Sequence, residues 1–433
     1  MTQDQRAERA RKRSLWSWAF YDFANSSFTT LVVTFIYSSY FQLQIAASEN
    51  EGTTQSSWAV SISAIAVAVL SPYVGSIADR GGLRKRFLVA TSLIAILGSF
   101  VLFFPTKGDV FFALSVFVIA NVSFELSGVF YNAYLPEIAK PSEIGRLSGY
   151  GWGLGYVGGL ACLIIALFTM VQPDVPWFGL SKVDGENIRA TNLLVGFWFT
   201  LFALPMFLWV REKKRPAKIQ LAGIFKQANQ EIKDTFRHIR QYRQVFRMLL
   251  ARLVYNDGLV TIFSLGGLYA TNTFDFSFEE VIQFGIALNV AAGLGAVAFG
   301  FLDDRIGGKK TILITLVGLV AATVLAVSAT AKSGLWIAGI VVGLLAGANQ
   351  SASRSLLGRF VPPDKENEFY GFFAFSGKAT AFLGPFLFGL LTQQLGSQRY
   401  GVAVVAVFFF VGALLLFRVD EAEGRASSGR TTA

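Results

Sequence analysis

Gly75-Ser-Ile-Ala-Asp79-Arg80-Gly-Gly82-Leu-Arg84-Lys85 and Gly300-Phe-Leu-Asp-Asp304-Arg305-Ile-Gly307-Gly-Lys309-Lys310 decide the fold between them. Every matched pair, from Gly75 with Gly300 to Lys85 with Lys310, is 225 residues apart, a coincidence that chance rarely repeats. The chain is therefore read as an internal duplication. Around the two copies, hydropathy with breaks at charge, Gly and Pro clusters predicts twelve spans: 15–43, 57–78, 87–105, 110–132, 146–171, 191–210, 248–271, 279–301, 311–330, 335–357, 369–394 and 400–417. Runs of about 20 apolar residues match a bilayer. A transmembrane barrel would instead show segments of about ten residues with strict alternation. The expected fold is thus all-α and integral to a membrane, with twelve helices in two pseudo-symmetric six-helix bundles. Six spans per half start both halves on one side of the membrane, so they are parallel repeats about the membrane normal.

Composition agrees. Of 433 residues, 53% are hydrophobic and only 15% charged, where a soluble chain carries about 25% charged residues. The single Cys162 lies in an apolar run and the single His238 among basic residues, so a His/Cys metal site and a Ser-His-Asp hydrolase are excluded by counting. No G-x-x-x-x-G-K-[ST] phosphate loop occurs. No cofactor, no metal and no enzymatic activity are expected. The first apolar run carries Asp22 and is too long for the core of a cleavable signal peptide.

Thirty Lys and Arg fall in the tails and loops of one side against five on the other (Lys107, Lys182, Arg189, Lys332, Arg399). The less translocated side keeps them, which puts both termini in the cytoplasm, at the inner membrane if the source is bacterial. The expected organisation is a cytoplasmic tail 1–14, a six-helix half 15–210, a central linker 211–247, a second half 248–417 and a tail 418–433. The linker has eleven basic residues against Glu212, Glu231 and Asp234, so most of the net charge of +10 lies there. Leu221, Phe225, Ala228, Ile232, Phe236 and Ile239 recur at helical spacing, with Lys226, Lys233, Arg237 and Arg240 on another face. This reads as an amphipathic helix on anionic lipid, rather than as a nucleic-acid partner.

The loop pair resembles the signature of the major facilitator superfamily, G-x-x-x-D-R-x-G-[RK]-[RK]. Gly75, Asp79, Arg80 and Gly82 match it in the first copy and Gly300, Asp304, Arg305 and Gly307 in the second; the basic pair is displaced one place in each, to Arg84 and Lys85 and to Lys309 and Lys310. The resemblance implies that Asp79 and Asp304 brace a neighbouring helix end, while the bases form charge pairs that break and remake as the protein opens. Tyr21-Asp22-Phe-Ala-Asn25-Ser26, Tyr131-Asn132-Ala-Tyr-Leu-Pro136-Glu137, Tyr255-Asn256-Asp257-Gly258, Arg354-Ser-Leu-Leu and Gly384-Pro385 look like the vacuole-effluxer branch. That branch contains fungal autophagy-related exporters of vacuolar amino acids and many bacterial members of unknown substrate. Glu125 stands where many drug exporters carry a buried arginine, and the glycine-rich fifth span lacks the proline of the drug-antiporter signature, which argues against a drug antiporter.

Six ionisable residues fall inside the spans: Asp22, Glu125 and Asp257, and Arg252, Arg354 and Lys378. At about 3 kcal/mol each near the bilayer centre, six unpaired charges would cost on the order of 18 kcal/mol, more than the roughly 5–15 kcal/mol that keeps a fold. They must face water or one another. Arg252 is expected near a span end, where it can snorkel. Trp18, Asp22, Asn25 and Thr29 share one helical face, as do Asn121, Glu125, Gly128 and Asn132, and Gly343, Gly347, Gln350 and Arg354. These three stripes are read as outlining an aqueous path. Asp22, Asn25, Glu125, Asn132, Asn256, Asp257, Gln350, Arg354 and Lys378 are the candidate solute- or ion-binding residues. The fifth-span glycines, Gly155, Gly158 and Gly159 among them, read as close helix packing. Trp16, Trp58, Trp177 and Trp336 read as interfacial anchors, and Ser277 with Glu280 as a capping box.

The expectation is a monomeric secondary transporter working by alternating access. It would move a small polar solute, an amino acid being the leading candidate, by export and with proton coupling as an option. The alternative is a facilitator-fold sensor or scaffold that does not transport and acts through its basic central segment.

Overall fold

The computed structural model describes residues 3–212, 224–238 and 240–430. Helix α1 (Gln3–Ser27) continues through π-helical turns at Phe28–Phe35 and Phe41–Ile45, on either side of the single turn α2 (Tyr37–Tyr40). There follow α3 (Glu49–Gly81), α4 (Arg84–Val101), α5 (Val110–Ala133) with the short α6 (Leu135–Ile138), α7 (Ile144–Ala166) and α8 (Glu186–Trp209). After α9 (Ile224–Arg237) come α10 (Arg243–Phe274), α11 (Phe278–Ile306), α12 (Gly308–Ser328), α13 (Lys332–Phe360), α14 (Glu366–Lys378), α15 (Leu383–Leu395), α16 (Gln398–Phe417) and α17 (Glu421–Ser427). Among the described residues, ten helical stretches are long and apolar enough to cross a membrane. The other two spans are the first, which the π turns interrupt, and α4, which opens on Arg84, Lys85 and Arg86. The run of β-branched residues at Thr29, Thr30, Val32, Val33 and Thr34 crowds a regular α turn, and the π segment falls there.

One predicted span is two helices. The stretch 369–394 is divided between α14 and α15 across residues 379–382. Pro385 stands in the first turn of α15, where its missing N–H costs nothing, whereas one continuous helix would bring its ring against the Ala381 carbonyl.

The chain forms two compact units: Met1–Leu70, Gly81–Tyr131 and Leu154–Ala217 in the first, Ser71–Arg80, Asn132–Gly153 and Lys218–Ala433 in the second. Phe28, Leu31, Val32, Phe41, Phe117, Cys162 and Val195 lie in the core of the first unit. Trp18 stacks on Tyr131 with ring centroids 4.7 Å apart and donates its indole N–H to the Tyr131 carbonyl at 3.0 Å. Tyr21 stacks on the same ring and bonds Ser92 Oγ at 2.6 Å and Ser127 Oγ at 3.0 Å. Helices α1 and α7 touch through backbone: a methyl group on Gly158 would meet the Phe23 carbonyl oxygen at 2.1 Å. In the second unit α11 and α13 do the same, where a methyl on Gly347 would lie 2.0 Å from the Ala292 carbonyl oxygen. Small residues permit such contact, which is what associates helices in lipid.

The capping box forms at the start of α11, with Ser277 accepting from the Glu280 N–H and Glu280 accepting from the Ser277 N–H. Trp16, Trp58 and Trp177 are exposed, whereas Trp336, near the start of α13, is half-buried against Phe276 and Phe284. Leu221 and Ile239 of the amphipathic pattern lie outside the described residues, as do the side chains of Phe225 and Phe236. On α9, Ala228 is buried by the protein itself, while Lys226, Lys233 and Arg237 are exposed.

Substituting Gly347→Ala should force α11 and α13 apart at a cost of about 1–3 kcal/mol, seen as a lower unfolding midpoint in detergent. Gly128→Ala, where the added methyl meets nothing within 4 Å, should leave the midpoint unchanged or raised.

Candidate functional site

The first N–H groups of a helix have no partner inside it. Four carboxylates occupy four such positions. Asp79 accepts from the N–H groups of Asn367 at 3.2 Å and Glu368 at 2.8 Å, the second and third residues of α14, and from Asn367 Nδ2 at 2.7 Å. Asp304 accepts from Gly145 at 2.7 Å and Arg146 at 3.1 Å, the second and third residues of α7. Glu212 caps α4 through the N–H groups of Arg84 at 2.9 Å and Lys85 at 3.2 Å. Glu421 caps α12 through Gly308 at 3.3 Å and Lys309 at 3.0 Å. The second residue of each capped helix, Lys85 on α4 and Lys309 on α12, then reaches a carbonyl at the C-terminal end of a neighbouring helix: Lys85 Nζ to Val210 O, just past α8, and Lys309 Nζ to Phe417 O of α16, both at 2.9 Å.

The signature glycines serve this arrangement. Gly75 lies against the Asn367 carbonyl, and Gly300 lies against Gly145 and Arg146. Gly82 and Gly307 hold φ of 57° and 92°, the left-handed region that a side chain disfavours. Arg80 pairs with Glu231 of α9, Arg84 is buried and Arg305 is exposed. Lys365 bonds Glu231 at 3.5 Å, Thr235 at 3.0 Å and Glu368 at 2.9 Å, so α9 is fastened to the start of α14. Asp303, Arg359, Glu212 and Glu421 escaped the sequence reading. Arg359 pairs with Asp303 at 2.5 Å, the two side chains only 4% and 1% exposed, and reaches Asp304 at 3.4 Å.

Within the spans, α10 grips the interrupted helix. Arg252 is buried rather than snorkelling: it donates to Phe373 O at 2.7 Å and Ser376 Oγ at 2.9 Å and lies 3.6 Å from the centre of the Phe373 ring. Asn256 Nδ2 donates to Gly377 O at 3.0 Å, next to Lys378 at the end of α14. Thr380, in the break, donates to Asp257 Oδ1 at 3.1 Å. Asp257 is 2% exposed, and among the described residues that hydroxyl is its one side-chain donor and no cation pairs with it.

On α13, Arg354 is held by Ser148 Oγ at 2.9 Å, Ser148 O at 2.7 Å and Asn132 Oδ1 at 3.2 Å. Gln350 is half-buried one turn earlier. In the first unit Asp22 and Glu125 are half-buried and Asn25 is buried, with the Asp22 side chain against Gly155. Asp22, Glu125, Arg252, Arg354 and Lys378 all have partners. Two of the three stripes do not stay whole: Trp18 is buried and stacked on Tyr131, and Gly343 and Gly347 abut the α11 backbone. Helical spacing identified a face but not the neighbour that covers it.

The helix arrangement is that of the major facilitator superfamily. The proton:xylose symporter XylE, solved with 6-bromo-6-deoxy-D-glucose, matches it with a TM-score of 0.74 at 14% identity, over 96% of this chain and 98% of that one. Residues 53–429 match the family model described as vacuole effluxer Atg22 like, and the chain belongs to that family. The uncharacterized MFS-type transporter YxiO of Bacillus subtilis (strain 168) is 27% identical over 412 residues, 94% of each chain. Autophagy-related protein 22-1 of Penicillium rubens is 25% identical over 306 residues, 65% of this chain and half of that protein. The chain is a multi-pass membrane transporter and not an enzyme.

Removing the guanidinium in Arg359→Ala strands the buried Asp303 charge and should cost about 3–5 kcal/mol. Asp304→Ala uncovers two N–H groups at a helix end and should cost about 0.5–2 kcal/mol. Unfolding of the two variants in detergent would show that order; a larger loss for Asp304→Ala would contradict it.

Proposed function

We propose that this chain is a secondary transporter that exports a small polar solute of the amino-acid class by alternating access, coupled to protons, with both termini in the cytoplasm. One observation carries the reading: Asp257, buried in α10 beside the break between α14 and α15, has a hydroxyl donor and no cationic partner among the described residues. A carboxylate in low dielectric calls for a proton or a cation. An ammonium group on the solute, or a coupled proton, is such a partner. Interrupted helices supply polar backbone ends at membrane depth, and the break beside Asp257 offers them. Arg354 on α13, held by Ser148 and Asn132, is proposed to supply the positive charge for the carboxylate of a zwitterion.

Asp22, Asn25, Glu125, Asn256, Gln350 and Lys378 complete the proposed binding and coupling set. Export is supported by the family's description as effluxers. The exposed bases Lys226, Lys233 and Arg237 on α9 are proposed to meet anionic headgroups, and the working unit is proposed to be a monomer. Membership in a transporter family favours this reading over a scaffold acting through the central segment.

Flux of labelled amino acids in proteoliposomes, with and without a pH gradient, tests the proposal. Asp257→Asn and Asp22→Asn should each lower flux about ten- to a hundredfold at unchanged protein level. An amino-acid methyl ester should compete with the labelled solute better than its N-acetyl derivative. Undiminished flux in both variants would sink the assignment.

A further inference from the structure

The last described residues of the chain make a contact that the signature loops do not explain. Arg430 directs its three guanidinium nitrogens to three elements: Nε donates to Val361 O at 2.7 Å, Nη1 to Pro136 O at 2.8 Å and Nη2 to Glu366 Oε1 at 2.6 Å. Pro136, in α6, belongs to the first series of spans; Val361 closes α13 and Glu366 opens α14 in the second. The segment leading to Arg430 is itself anchored. The Asp420 N–H donates to Gln244 of α10 at 2.9 Å, and Gly424 lies against the Phe360 ring, where an added methyl would have 2.6 Å of room.

We propose that residues 420–430 are a strap and that Arg430 is its latch, holding the first series of spans to the second at the ends of α6, α13 and α14. The inference rests on the alternating-access reading, because a protein that rocks open at this end must part Pro136 from Val361 and Glu366. The latch resists that step for a chemical reason. Glu366 is 1% exposed, and withdrawing Arg430 removes a charge-assisted hydrogen bond that water must replace before the two series separate. Guanidinium geometry matters, since Arg430 meets three separated acceptors from three different nitrogens, whereas a lysine ammonium offers all its donors from one atom. The strap therefore biases the conformational equilibrium without touching the solute.

The test reads opening directly. In a Cys162→Ser background, spin labels are placed at Lys140→Cys and Lys310→Cys, both exposed and one in each series. The distance distribution is then measured in lipid for the full chain. Arg430→Ala should raise the population with the longer separation about tenfold, with Arg430→Lys falling between it and the wild type. Identical distributions in all three overturn the proposal. If Arg430→Ala does not fold, Glu366→Gln, which keeps the shape and removes the charge, should move the distribution in the same sense, and no movement there overturns it equally. Solute flux in the same liposomes reports separately on the transport reading, so a failure of one is not mistaken for a failure of the other.

Discussion

A carboxylate placed against the first turn of a helix it does not belong to is the interaction on which the rest of this structure depends. Asp79 and Asp304 take the second and third N–H groups of α14 and α7, and Glu212 and Glu421 the first two of α4 and α12. Such a contact uses donors that the helix leaves unsatisfied and the favourable end of its dipole. It needs no partner side chain, so it tolerates variation along the receiving helix. Its requirement is close approach of backbone, and this is why glycine recurs where the carboxylates land: Gly145 on α7, Gly75 beside Asn367, and Gly307 at the turn into α12. The duplicated motif is thus a repeated way of tying a loop to a helix end.

Inside the spans the same economy holds with the signs reversed. Arg252 and Arg354 are met by carbonyls, hydroxyls and an amide. The carbonyl that Asn256 satisfies belongs to the last turn of α14 and the one that Arg252 bonds to the turn before it, so the polar side of α10 helps make an interrupted helix tolerable in a membrane. Asp257 adjoins this patch without sharing its neutralisation. The proposed binding role of Asp257 rests on that difference.

Much of the architecture was legible because apolar length and the register of the loop motif survive in sequence. The 225-residue offset was visible since Asp and Arg stand at fixed places in both copies. Glu212 and Glu421 perform equivalent tasks at an offset of 209 residues, a register that the unequal loops of the two halves conceal. The span 369–394 reads as continuous despite Gly384-Pro385, because the break at 379–382 is bonded by side chains of α10, a long-range partnership that no local pattern encodes. The stripes on the first and tenth spans failed at Trp18, Gly343 and Gly347 for a related reason. An aromatic ring or a bare backbone at helical spacing is as well suited to a facing helix as to water, and only the facing helix distinguishes the two.

The proposed alternating access would set a limit on how strong these fastenings can be. A switch between two states is useful only when their difference is a few kcal/mol, since the solute can shift the balance by no more than its own differential affinity. A helix cap by a side-chain oxygen contributes about 0.5–2 kcal/mol, within that range, and its loss on opening is repaired by water. A buried ion pair such as Arg359 with Asp303 is different, because parting the two strands both charges in low dielectric. That pair joins α13 to α11 within the second series, where no separation is required. Asp79, which reaches from α3 to α14, and Asp304, which reaches from α11 to α7, join one series to the other and are caps. The contacts that cross between series thus include caps that water can replace, alongside the buried Arg354, which reaches Ser148 of α7 and Asn132 of α5.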